Sequence, residues 1–158
     1  MRANSNIHTR PATIKDQDFI ISLLPRLTEF GPPSWRDLTA MISTDTQIMI
    51  DKLNNRPEGT VIFIAEDEKK VPLGFIHLQA GNDHYYEEKH VHISDIIVSA
   101  EAGGRGIGLL LIDKAEDWAR AQGFCWITLS VFAQNIRARE LYTRLGYGED
   151  IMKYVKVL

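Results

Sequence analysis

Cysteine is almost absent from this chain: Cys125 stands alone among 158 residues. One thiol closes no internal disulfide, so a packed core has to hold the fold. Long hydrophobic runs are missing as well. None approaches the ~18 consecutive apolar residues that span a bilayer, and Met1-Arg2-Ala3-Asn4 opens no secretory leader. Basic charge is not in excess: 18 Lys and Arg against 21 Asp and Glu leave a net charge of −3, without the footprint of a nucleic-acid binder. Internal repeats, low-complexity tracts and linkers are also lacking. These absences point to a cytoplasmic protein with neither membrane nor nucleic acid as partner. With 44% hydrophobic and 25% charged residues, the length suits one domain spanning residues 1–158. Cys125 reads as a small buried residue just before a strand.

What the chain does have is glycine in one place. Gly103-Gly104-Arg105-Gly106-Ile107-Gly108 lies between a strand-like run, Val91 to Val98, and an amphipathic helix-like run, Leu109 to Gln122. Glycines let successive N–H groups turn toward one point, and the helix behind adds the positive end of its dipole. That order makes a cradle for a diphosphate. The dinucleotide fingerprint fails, because Leu109 stands where its third glycine belongs. A Walker loop fails too, since Leu109 and Leu110 replace Lys-Ser/Thr.

The remaining pattern predicts a mixed α/β domain. Ile7 to Pro11 reads as a first strand, and Thr13 to Asp16 as a capping box opening a helix with Ile20, Leu23, Leu24 and Leu27 on its buried face. Pro25 should end or kink it. After the break at Gly31-Pro32-Pro33, Thr46 to Asn54 reads as a second helix. Val61 to Ala65 and Leu73 to Ala80 read as strands joined by a charged turn. Leu111, Ala115, Trp118 and Gln122 mark one side of the third helix, which Gly123 ends. Ile127 to Val131 alternates as a strand, Ala138 to Leu145 forms a last amphipathic helix, and Met152 to Leu158 closes as a strand. The strand–loop–helix–strand unit from Val91 to Val131 requires two parallel strands, while the hairpins before it are antiparallel.

The glycine loop resembles the pyrophosphate loop, Q/R-x-x-G-x-G/A, of the GNAT superfamily of N-acetyltransferases, which bind acetyl-coenzyme A. Asn135, Ala138, Leu141-Tyr142 and Gly146-Tyr147 are similar to that family's N-x-x-A-x-x-L-Y-x-x-x-G-F/Y ending, and Ser94 to Val98 to its preceding strand. Thr9 to Thr13 resembles its opening strand. One position departs: Gly103 stands where Gln or Arg is usual, which removes a side chain but no backbone donor. The resemblance implies the acyl-CoA N-acyltransferase fold, a three-layer α-β-α arrangement around a central mixed, mostly antiparallel sheet. It also implies that the two parallel strands splay after a bulge, with the pantetheine arm between them.

Carried over to this sequence, the resemblance gives acetyl-CoA as cosubstrate. Its binding residues would be Ile96, Ile97 and Val98, the loop Gly103, Gly104, Arg105, Gly106, Ile107 and Gly108, then Asn135, Ala138, Tyr142 and Arg144. Tyr142 is the expected general acid, since a departing thiolate with a thiol pKa of about 8.5 leaves more easily when protonated. For the general base, His92 and Asp95 both stay open. In an unbroken strand His92 and Ser94 share one face and Asp95 takes the other. Glu29, Phe30, Trp35, Tyr85 and Tyr86 are candidates for the wall that receives the acceptor amine. His84, Glu87, Glu88, His90 and His92 have metal-ligand composition but no zinc spacing, so no metal is expected. The implied reaction is direct acetyl transfer to a primary amine of a small molecule, a polyamine or amino compound. The rivals are a protein lysine or N-terminal amine as acceptor, and a non-catalytic coenzyme A sensor. Sequence does not fix oligomeric state, although homodimers lead on base rates.

Overall fold

The computed structural model describes residues 6–82, 85 and 89–158. Four strands run antiparallel in chain order: β1 (Ile7–Pro11), β2 (Thr60–Asp67), β3 (Pro72–Asn82) and β4 (Lys89–Val98). A short β5 (Trp126–Leu129) joins β4 in parallel and forms one edge of the sheet. The helices are α1 (Gln17–Leu23), α2 (Leu38–Asn55), α3 (Ile107–Ala121) and α4 (Ile136–Arg144).

Strand β2 explains the layering. Its side chains alternate between two cores, so a near-continuous apolar run is buried on both faces. Phe63 and Ala65 pack with Ile107, Leu111, Ala115 and Ala119 of α3. Ile62 and Ile64 pack with Ile20 and Leu23 of α1, then Leu24, and Met49 and Leu53 of α2. The result is the expected three-layer α-β-α fold with a mixed, mostly antiparallel sheet.

The N-terminus is fixed by charge. Arg10 meets Asp16 at 2.8 Å and Glu66 at 2.7 Å, and His8 meets Glu66 at 2.9 Å. Asp16 also accepts the Thr13 N–H at 2.7 Å, which completes the capping box. Arg10's hydrogen bond holds the Asp16 carboxyl below its ordinary range. Burial alone would push Glu66 up, but its hydrogen bonds to Arg10 and His8 overcome that and hold it down. As Pro25 required, α1 stops at Leu23, and the chain continues as a 3-10 segment over Leu24–Thr28.

The feature that matters most for function is a bulge in β4. His77 pairs with Asp95 and Leu78 with Ile93, so Ser94 is looped out of register. Before it, Val91 and Ile93 face α3; after it, Ile97 faces α1 and α2. The extra residue therefore switches parity, and His92 and Asp95 come to share the α2 face. Pairing of β4 with β5 covers only His90–Ile93 against Trp126–Leu129 and stops at the bulge. Beyond it the two parallel strands separate.

Four expectations need correction. Helix α2 begins at Leu38, eight residues before Thr46, with the Asp37 carboxylate capping the Ala40 N–H at 3.0 Å. Its first turn is exposed, so no apolar period announced it. Strand β5 ends at Leu129 rather than Val131, because β4 has already turned away. Cys125 is exposed, since it leads into the edge strand β5 rather than into the core. Residues 152–158 form no strand: they run exposed and without a ladder partner.

Candidate active site

Splaying β4 from β5 opens a cleft of about 420 Å³. Its walls include Ile93 to Val98 of β4, Leu129 at the end of β5 with Ser130, Val131 and Phe132 after it, and Asn135, Ala138 and Tyr142 of the α4 region. The α-helical side contributes Arg26, Phe30, Met41 and Asp45. Of the expected cosubstrate residues, Ile96, Ile97, Val98, Asn135, Ala138 and Tyr142 line this cleft; the glycine loop and Arg144 lie outside its wall.

The backbone of β4 beyond the bulge is half used. Ser99 donates to Leu73 O at 2.8 Å, toward β3, while Val98 O accepts Arg26 Nε at 3.0 Å on the other side. By strand alternation, the main-chain groups of Ile96 and Val98 point away from β3, into the gap that β5 has left.

The glycine loop closes one end of this strand. Gly104 and Gly106 have φ of +77° and +76°, the left-handed region in which a Cβ costs ~1–2 kcal/mol. Gly103 spends its N–H on Ala100 O at 3.3 Å. The N–H groups from Gly104 through Leu109 find no carbonyl among the described residues; the first to do so is Leu110, onto Gly106 O at 3.1 Å. A Cβ at Gly104 or Gly106 would meet no protein atom within 4 Å. Free amides, open space and a helix N-terminus fit a diphosphate. The Arg105 side chain is exposed.

Asn135 caps α4, accepting the Ala138 N–H at 3.3 Å, and also lines the cleft. Tyr142 lines the cleft, and burial raises its phenol above the ordinary value. Its ring stands edge-on to Tyr147 at 5.7 Å, and the Tyr147 hydroxyl donates to Glu116 at 3.2 Å. The Tyr142 hydroxyl has no hydrogen-bond partner among the described residues. Arg144 and Arg137 are exposed, and Arg139 is tied to Glu149 at 2.8 Å.

The two base candidates differ in placement. His92 Nδ1 contacts Thr128 Oγ1 at 2.8 Å, and burial lowers its pKa. Asp95 lines the cleft; one oxygen, Oδ2, accepts from His77 Nδ1 at 2.9 Å. His77 is buried, with Nε2 unpartnered among the described residues. Asp45, across the cleft on α2, has its pKa raised by burial and then by the charge of Asp95. Sequence reasoning missed Asp45, His77 and Arg26: α2 carries Asp45, the bulge sets Asp95 against His77, and the 3-10 segment after α1 carries Arg26.

Of the acceptor candidates, Phe30 lines the cleft, Glu29 pairs with Arg26 at 3.1 Å beside it, and Trp35 and Tyr85 are exposed outside its wall. Tyr86, His84, Glu87 and Glu88 lie outside the described residues. Among the described residues, no three His, Cys, Asp or Glu side chains are grouped to share a metal ion.

The sequence profile of the Acetyltransferase (GNAT) family matches residues 24–147. The chain belongs to the GNAT family. Human N-acetyltransferase 8 is 26% identical over 129 residues, which cover 82% of this chain and 56% of that protein. An uncharacterized N-acetyltransferase of Methanocaldococcus jannaschii is 36% identical over 88 residues, 55% of this chain and 38% of its own length. The chain thus spans about half the length, or less, of these two curated relatives. A solved structure described as a putative acetyl transferase from Pyrococcus furiosus superposes with a TM-score of 0.76 at 25% identity, covering 96% of this GNAT chain and 99% of that one. No helix among the described residues is long and apolar enough to cross a membrane.

Proposed function

We propose that this GNAT domain transfers an acetyl group from acetyl-CoA directly to the primary amine of a small cationic molecule. The observation that carries this reading is the cleft itself. One strand gap brings together the main chain of Ile96 and Val98, a phenol that burial raises, and two carboxylates. Bound acetyl-CoA supplies an activated thioester. The amides from Gly104 to Gly108 hold its diphosphate, Asn135 and Ala138 flank its arm, and the main chain of Ile96 with the Val98 N–H offers it a strand edge, Val98 O being held by Arg26.

Asp95 takes the proton that the amine must lose before it can attack, with His77 fixing the carboxylate's orientation. A main-chain N–H at Ile96 or Val98 donates to the oxygen on which negative charge develops; a well-aimed donor of this kind contributes ~3–4 kcal/mol. Tyr142 gives its proton to the departing sulfur. No covalent enzyme intermediate is involved, and Cys125 lies outside the cleft wall.

Asp45 and Asp95 favour an acceptor that arrives as an ammonium ion, because two acids facing one cleft are relieved by a cation. A polyamine or amino compound suits the cleft. The exposed, unpaired Cys125 suits a reducing cytoplasmic setting. Thiol release from acetyl-CoA in the presence of separate small amines, lysine peptides and N-terminal peptides tests the assignment. Turnover on small amines is expected. Turnover on peptides alone would transfer the activity to protein acceptors, and coenzyme A binding without turnover on any amine would make the domain a sensor.

A further inference from the structure

Helix α2 carries one residue that its own pattern does not explain. Met41, Asp45, Met49 and Leu53 recur every four residues, so they form one stripe along the helix. Met49 and Leu53 are buried in the core against α1, and Met41 lines the cleft. The stripe calls for an apolar residue at position 45. An acid stands there instead, and it too lines the cleft.

Asp45 also differs from every other shielded acid among the described residues. Arg10 holds Asp16 and Glu66, and the Lys69 and Val71 N–H groups hold Asp67. His77 holds Asp95, and Arg120 holds Glu116. Asp45 is half-buried and has neither a hydrogen bond nor a base beside it among the described residues. Burial and the charge of Asp95 both work against its ionised form.

The cleft has no spare cation to offer it. Arg26 is the one basic side chain in the described wall, and it spends Nε on Val98 O at 3.0 Å and Nη1 on Glu29 at 3.1 Å. The chemistry does not relieve Asp45 either. Once Asp95 has taken the proton of the attacking amine, that amine is neutral and Asp45 still faces the cleft. A lasting countercharge has to come from elsewhere on the acceptor. Leu27, Phe30 and Met41 line the same cleft and offer apolar contact to a methylene chain.

On the reading that this cleft acetylates small amines, we propose that Asp45 binds a second ammonium of the acceptor and so selects diamines and polyamines over monoamines. An amino compound with a carboxylate at its far end would meet Asp45 with like charge and be rejected.

Thiol release from acetyl-CoA tests this with acceptors of matched chain length. Diaminobutane, butylamine and aminobutanoate present a cation, no charge and an anion at the far end, and the six-carbon analogues extend the reach. The parent should favour the diamine over the monoamine in kcat/KM by roughly 10- to 100-fold, the range of one charge-assisted hydrogen bond. Asp45→Asn should erase that preference, chiefly through KM, and Asp45→Lys should turn it toward the aminocarboxylate. A second readout needs no turnover. Asp45→Asn should raise Tm at neutral pH, because it removes an unpaired charge, and diaminobutane should raise Tm of the parent but not of the variant.

Monoamine turnover with no diamine preference, or a preference that survives Asp45→Asn, overturns the role of Asp45 and leaves small-amine acetylation standing. An equal loss on butylamine and diaminobutane in Asp45→Asn would put Asp45 in the chemistry and overturn its role in selection. A lower Tm in that variant would reveal a structural partner and count against the proposal too. No turnover on any small amine overturns both readings together.

Discussion

Changing Tyr142 to Phe removes one oxygen and leaves the ring. The phenol's edge contact with Tyr147 at 5.7 Å is retained, and no hydrogen bond to a described residue is lost. Stability should therefore change by less than ~0.5 kcal/mol, the usual range for a change that breaks no buried partner. Catalysis should change far more. Burial raises the Tyr142 phenol above its ordinary value, which favours the protonated form that can donate. Loss of a positioned general acid costs ~10²–10⁴-fold in rate, or roughly 3–5.5 kcal/mol of barrier. The expected result is a fall in kcat of at least a hundredfold, followed by thiol release. Calorimetry should give a dissociation constant for acetyl-CoA within a few fold of the parent. Unchanged kcat would remove Tyr142 from the chemistry. A large loss of affinity with kcat preserved would make it a binding residue only.

Arg10→Met strands the carboxylates of Asp16 and Glu66, both buried. A stranded buried charge costs about 3 kcal/mol, which lowers Tm by roughly 6–12 °C in a domain of this size. Both carboxyls are held below their ordinary range in the fold, so their contribution is complete above the unfolded carboxyl range of about 4 and disappears as pH falls through the folded values. The Tm deficit of the variant should thus be largest near neutral pH and shrink in acid; a pH-independent deficit would contradict the ion-pair account. Gly74→Ala would place a Cβ 2.7 Å from Ile97 O and 3.1 Å from Val98 Cα, pushing the stretch of β4 proposed to meet the cosubstrate. Overpacking of this kind costs ~1–3 kcal/mol, and acetyl-CoA affinity should weaken with it in calorimetry. Asp95→Asn should lower kcat/KM by ~10²-fold near neutral pH. Activity should recover as pH approaches the amine's own pKa of about 10, where the acceptor arrives already deprotonated. A pH–rate profile parallel to the parent's would exclude Asp95 as base.

The parts of the fold legible in the sequence are those in which a residue type has a local reason. Gly104 and Gly106 occupy left-handed backbone that other residues resist, so the loop announces itself. Strand β4, helix α3 and strand β5 follow from apolar period and Gly123, and Pro25 ends α1 where its missing N–H demands. Of the site residues expected from sequence, Ile96, Ile97, Val98, Asn135, Ala138, Tyr142, Asp95 and Phe30 line the cleft. Ser94 carries no mark that it will be looped out, yet that one displacement moves Asp95 onto the face of His92 and against His77. Asp45 enters the cleft from a helix whose exposed first turn has no apolar period. For residues 152–158 the pattern was a strand's, yet the segment runs exposed and outside the sheet.

Amide chemical shifts on titration with coenzyme A test the central claim most directly, because the loop's N–H groups are the proposed diphosphate ligands. The account predicts that the largest ¹⁵N and ¹H shifts fall on Gly104, Arg105, Gly106, Ile107 and Gly108, with a second set at Ile96 and Val98. Binding that leaves those amides unmoved and shifts another surface would contradict it.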